Sequence, residues 1–219
     1  MIAAAVKALS QILSPPFRGV LLRSVGLTLA ILAAIWAGLY ALLDWLVDVP
    51  SPGLETAIQI LTGVGLFIGL GFLIAPVTAI FAGLFLDEIA EAVERTYYPL
   101  DPPGRAMPIG ESIASAIRFT ALVVAVNLLV LVLLLLPGIN IIAFFVANAY
   151  LLGREYFEAV AMRFHDRATV AEMRARHSAR IFLAGLLIAL VLAIPIVNLL
   201  TPLFATAFMV HIFKGSERA

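Results

Sequence analysis

The stretch from Arg118 to Arg154 constrains this chain more than any other. No charged residue occurs between Phe119 and Leu152, and Pro137-Gly138-Ile139-Asn140 divides the run into two apolar arms. The arms are short for a membrane. Phe119 to Leu136 is about 18 residues and Ile139 to Leu152 about 14, whereas hydrocarbon about 30 Å thick needs roughly 20 helical residues. Proline removes an amide donor and disfavours helical geometry in the residue before it, so the chain turns at Leu136-Pro137-Gly138. Two part-way helices meeting at a turn inside the bilayer, with both ends on one side, fit this pattern. Two kinked spanning helices are the alternative.

The pattern recurs. From Arg180 to Lys214 the chain again reads cation, apolar run, Pro195-Ile196-Val197-Asn198, apolar run, cation. Pro-x-x-Asn at the centre of both segments marks an internal repeat of one hairpin unit, with Pro202 as a second interruption after the turn. Pro137, Gly138, Asn140, Pro195 and Asn198 are therefore candidate tip residues, where broken helices bring backbone dipoles to membrane depth.

A chain that is 63% hydrophobic and 13% charged lies far from the roughly 25% charge of soluble domains, so these runs belong to an integral membrane protein. The reading is a single all-α membrane domain over residues 1–219. It comprises an N-terminal amphipathic interfacial helix (1–13), two long transmembrane helices (18–47 and 56–95), two hemi-penetrating hairpins (118–154 and 180–214) and a basic helical segment (155–179). Ile2 to Leu13 carries Val6, Leu9 and Leu13 at helical spacing and is too weakly basic for a signal peptide. Ser14-Pro15-Pro16 then makes a corner before the first long helix. In that helix Gly26 suits close helix packing, and Trp36, Tyr40 and Trp45 gather at the far end, at headgroup level. Gly65 and Gly69 set a GxxxG spacing in the second long run. Asp87, Glu88, Glu91 and Glu94 recur at helical spacing, as on a solvated face.

Orientation follows from counting cations. All 14 Lys and Arg lie outside the loop Asp44 to Glu55. By the positive-inside rule the remaining segments and both termini are cytoplasmic. A plain four-span bundle would put the six arginines of Arg154 to Arg180 outside; six short spans would not. Those arginines suit anionic lipid headgroups, not nucleic acid. With no cysteine there is no disulfide framework. His165, His177 and His211 lack zinc-type spacing and are expected at the surface or interface. Without G-x-S-x-G, a phosphate loop or a dinucleotide turn, no catalytic residue, metal or cofactor is expected.

The order of these features resembles the CysZ-type sulfate permease family of bacterial inner membranes. The resemblance rests on Pro15-Pro16-Phe17-Arg18, on Ile74-Ala75-Pro76 running into Leu84-Phe85-Leu86-Asp87-Glu88, and on Pro137-Gly138-Ile139-Asn140. It also rests on Ile194-Pro195-Ile196-Val197-Asn198-Leu199 with Pro202, and extends from about Ser14 to Phe213. It implies two long transmembrane helices plus two hemi-penetrating hairpins, a homo-oligomer, and passage of sulfate or a related oxyanion into the cytoplasm for cysteine synthesis. It further implies a sulfate site at an arginine pair heading the first helix. Arg18 matches the first arginine, Gly19 stands at the second position, and Arg23 lies more than a turn further on.

The residues give an independent reason. A tetrahedral dianion needs charge-assisted donors, and an arginine at a helix N-terminus offers its fork beside backbone amides. Phe17, Arg18, Gly19 and Arg23 are the candidate anion-binding residues; setting topology and snorkelling are their alternative roles. A non-conducting protein that organises lipid or partners is the competing function. Asn127 and Asn148, also at membrane depth, are expected to cap turns or join helices. The hairpin topology predicts that cysteines at Ile139 and Val197 escape a membrane-impermeant reagent applied from the periplasm, while one at Ser51 is labelled. Strong labelling at both tips would establish full spans instead.

Overall fold

The computed structural model describes residues 1–46, 53, 56, 58–66, 68–69, 85–133, 139–194 and 197–218. Among them there is no strand, and eight α-helices carry the fold. They are α1 (Ile2–Gln11), α2 (Pro15–Leu46), α3 (Leu86–Tyr97), α4 (Ile109–Leu133), α5 (Ile139–Ala161), α6 (Arg167–Arg176), α7 (Ser178–Leu192) and α8 (Thr201–Glu217). Residues 58–66 are also helical. The chain forms two compact units, one of Met1–Arg18 with Leu86–Ala219 and one of Gly19–Phe85.

The unit Gly19–Phe85 contains most of α2, whose portion Pro15–Leu42 is long enough to cross a membrane and has a mean hydropathy of 2.1. Its aromatic end is ordered by contacts with the following helical stretch. Trp36 stacks on Tyr40 at 5.5 Å and donates its indole N–H to the Gly63 carbonyl at 3.3 Å. Trp45 is 80% exposed, as an interfacial anchor requires. Among the described residues, a Cβ at Gly26, Gly65 or Gly69 would meet no atom within 4 Å. The second expected crossing, 56–95, lies partly outside the described residues, at 70–84.

The larger unit is built around α8. This helix packs against α1, α3, α5 and α7. Leu203, Phe208, Met209, Ile212 and Phe213 are fully buried in it. Among the described residues, it is with the 3-10 turn Val197–Leu200 the second element of spanning length by composition, yet 78% of its apolar window is buried inside the protein. Pro202 starts this helix instead of interrupting it. The ring sits in the first turn, where the missing amide would have had no helical partner.

Each of the two repeats contains a pair of packed helices. Helices α4 and α5 pack together, as do α7 and α8. The helices outrun the uncharged arms, because α4 starts before Arg118 and α5 continues beyond Arg154. Pro137, Gly138 and Pro195 fall outside the described residues; Asn140 is in the first turn of α5. Asn198 lies in the 3-10 turn and donates its backbone N–H to Ile194 O at 3.0 Å. Among the described residues, Asn127 and Asn148 make no capping or helix-joining hydrogen bond. Each amide donates to its own helix one turn back, to Val123 O at 2.8 Å and Phe144 O at 2.9 Å.

Along α1 and the turn after it, Val6, Leu9 and Leu13 are exposed, while Ala8, Gln11 and Ile12 are buried. An apolar face left outward beside a docked inner face suits a helix lying in a membrane interface.

The tightest contact joins α5 and α7. Gly153 and Gly185 face each other so closely that a Cβ on Gly185 would stand 1.9 Å from Ala149 O and 2.6 Å from Gly153 N. These are backbone atoms and cannot swing aside. Gly185→Ala is therefore expected to destabilise the protein by roughly 1–3 kcal/mol or more, read as a lower thermal midpoint in detergent. Gly26→Ala should be neutral or stabilising by up to about 1 kcal/mol, since alanine is the better helix former. Equal midpoints for the two variants would remove the crossing as a determinant of stability.

Candidate functional site

The expected anion site begins at the corner before α2. Ser14 N donates to Gln11 O at 2.8 Å, closing the preceding turn, and Arg18 N donates to Ser14 O at 3.0 Å. Pro15 and Pro16 have no N–H, so of the first four α2 residues only Phe17 has an amide free of the helix. The expected supply of backbone donors is therefore reduced to about one. Phe17 itself is fully buried, a packing residue that anchors the turn.

Arg18 is exposed, and its guanidinium makes no hydrogen bond or ion pair among the described residues. Arg23 differs. Its Nε donates to Gly19 O at 3.1 Å, and its guanidinium lies 4.9 Å from the Phe85 ring centroid. Gly19 leaves room for this fold-back, since a Cβ there would sit 3.7 Å from Arg23 Nη2. The four predicted residues thus divide into a packing residue, a cation with no partner among the described residues, a small residue and one engaged cation.

A second set of charged residues stands out only in three dimensions. Arg163 and Glu94 have side chains 5% and 6% exposed, and Arg163 Nε donates to Glu94 Oε1 at 3.2 Å. Arg163 Nη2 reaches Glu94 Oε2 at 3.4 Å, and Nη1 contacts the half-exposed Asp87. The loop after α3 closes over the pair, with Gly104 N donating to Glu94 Oε2 at 3.0 Å and Arg105 N to Arg163 O at 2.9 Å. The acidic stripe of α3 is therefore only partly a solvated face. Helical spacing could not reveal a partner 69 residues away.

Nearby, Lys214 is 3% exposed, with Nζ 3.4 Å from Asp101 Oδ2 and 3.4 Å from Glu217 Oε2, and 4.0 Å from the Phe164 ring centroid. His211 is buried, against the expectation of a surface or interfacial place. Its Nδ1 shares a 2.8 Å hydrogen bond with Tyr98 Oη, and Tyr97 packs edge-on to its ring. Burial raises the Tyr98 phenol above its ordinary range. At the beginning of α6 the Asp166 carboxylate accepts from Thr169 N at 3.2 Å, and the hydrogen bonds from Thr169 hold its pKa below the usual value. Among the described residues no group of three His, Cys, Asp or Glu side chains could hold a metal ion.

Charge pairs buried this well hold elements together; they do not bind a mobile anion. Arg163→Met would leave Glu94 buried and unpaired, a cost of about 3–5 kcal/mol, measured as a fall in thermal midpoint. Arg163→Met/Glu94→Leu should recover much of that loss. A double variant no more stable than the single one would assign the effect to packing instead of charge.

Comparison with known proteins gives a family match. A family model described as Sulfate transporter CysZ/Etoposide-induced protein 2.4 matches residues 4–202. No curated protein matches the chain.

Proposed function

The chain belongs to the sulfate transporter CysZ/Etoposide-induced protein 2.4 family, and we propose that it is a sulfate permease of the bacterial inner membrane. The observation that carries this reading is the match over residues 4–202, which takes in both Pro-x-x-Asn segments and the corner at Arg18. In this reading sulfate enters the cytoplasm for cysteine synthesis, through a homo-oligomer whose termini are cytoplasmic. The α4–α5 and α7–α8 pairs act as re-entrant hairpins, with their Pro-x-x-Asn tips converging between subunits.

Arg18 supplies the first charged contact. It combines position in the first turn of α2, exposure, and a guanidinium fork with no competing partner among the described residues. Arg23 contributes less, because binding an anion would compete with the Gly19 carbonyl and the Phe85 ring. Gly19 keeps the side of the helix beside Arg18 low. Phe17 fixes the turn through its burial.

The test is sulfate uptake into proteoliposomes, normalised to correctly inserted protein. Charge-assisted bonds contribute about 1.5–3 kcal/mol each, so Arg18→Ala should weaken sulfate affinity or uptake at least about tenfold. Arg23→Ala should do less. Lysine at position 18 should restore function only in part, keeping the charge but losing the bidentate fork. Uptake by Arg18→Ala at the wild-type rate would remove Arg18 from the site. Wild-type uptake no faster than in protein-free vesicles would favour the non-conducting, membrane-organising role.

A further inference from the structure

Beyond the Arg18 corner, one more place combines free positive charge with room for a ligand. Helices α6 and α7 meet at His177 with a bend of 87°. The bend ends one helix and opens the next against the C-terminal half of α5. A cleft of about 550 Å³ lies there, lined by Tyr150, Arg154, Arg174, Ser178, Ile181 and Phe182 among others.

Arg154 and Arg174 share one carboxylate oxygen. Arg154 Nε is 2.8 Å and Arg174 Nε 3.3 Å from Glu158 Oε1. Arg174 Nε is buried, and that approach does not have the geometry of a hydrogen bond. Two cations and one anion leave the cluster at +1. The terminal guanidinium nitrogens of both arginines have no hydrogen-bond partner among the described residues. The opening turn of α7, which lines the cleft with Ser178 and Ala179, adds donors. Ile181 N is the first amide of α7 satisfied by the turn, at His177 O, so the amides of Ser178, Ala179 and Arg180 open the helix beside the Ser178 hydroxyl. Tyr150, Ile181 and Phe182 add apolar surface to the lining.

We propose that this cleft binds a tetrahedral oxyanion, with Arg154 and Arg174 as its charged ligands and Ser178 with the opening turn of α7 completing the donor set. Two forks converging on one ligand suit an oxygen-rich anion in a way that single ammonium groups do not. A lipid phosphodiester and free sulfate share this chemistry. The net charge of +1 and the apolar part of the lining match the singly charged, tail-bearing phosphodiester, and basic pockets between membrane helices hold such headgroups. The proposal does not depend on the role assigned to Arg18.

The experiment is calorimetric titration of the full-length purified protein in neutral detergent at constant ionic strength. Sodium sulfate and dioctanoyl phosphatidylglycerol are the separate probes. An Arg18→Ala background keeps the proposed transport site from contributing, and wild type is run in parallel. Arg154→Gln/Arg174→Gln should weaken binding at least about tenfold. Glu158→Gln should strengthen it several-fold, because it removes the competing carboxylate while keeping both arginines. Binding of phosphatidylglycerol alone identifies a lipid site, binding of sulfate alone a free-anion site, and binding of both the shared oxyanion chemistry. Binding of neither probe, or an affinity unmoved by the arginine changes and by Glu158→Gln, overturns the proposal.

Discussion

The contact on which most of the larger unit depends is the backbone-to-backbone crossing of α5 and α7 at Gly153 and Gly185. Within lipid, apolar side chains gain little by leaving one hydrocarbon environment for another, so close van der Waals packing must hold helices together. Two glycines at one crossing let the helices approach until the Gly153 side of α5 meets the Ile181 carbonyl of α7. Arg154 follows Gly153 directly, and Ile181 lines the cleft that Arg154 shares with Arg174. The crossing that stabilises the unit therefore also sets where these charges stand.

Around that crossing the protein keeps buried charges satisfied. Glu94 has Arg163 and the Gly104 amide, and Lys214 has two carboxylates and an aromatic face. Each pair ties segments distant in the chain: α3 to the turn after α5, and the loop after α3 to the end of α8. An ion pair removed from water gains little net stability relative to apolar packing, but losing one partner is expensive. Such pairs specify which segments meet. They explain how α8, a helix carrying His211 and Lys214, can serve as the core of its unit.

Much of this was legible in the sequence. Prolines announced the corner before α2, hydropathy announced α2, and i,i+4 spacing announced the Arg154–Glu158 pair. These signals are local: a missing amide, an apolar run, two charges one turn apart. What escaped was non-local. Gly153 and Gly185 are single glycines on different helices, whereas GxxxG describes spacing within one helix. The Glu94–Arg163 and Tyr98–His211 contacts span 69 and 113 residues, so no periodicity reveals them. Pro202 was misread because proline breaks a helix interior but is welcome in a first turn, and locating that turn required the structure.

Arg18 and Arg23 show why counting cations cannot identify an anion site. The positive-inside rule weighs charge near the helix end, and on that measure the two are alike. Anion binding requires donors that are free to turn toward the ligand. Arg23 has folded onto Gly19 O and Phe85, so an incoming oxyanion would have to displace existing contacts; Arg18 has no such contact among the described residues. The proline pair sharpens the difference. By removing amides from the first turn it denies a ligand most of the helix-terminal donors. An anion held at this corner would therefore rely on a side chain, whereas at the opening of α7 non-proline residues leave the amides in place. Two helix starts in one chain thus present opposite balances of backbone and side-chain donors, and proline placement is the cause.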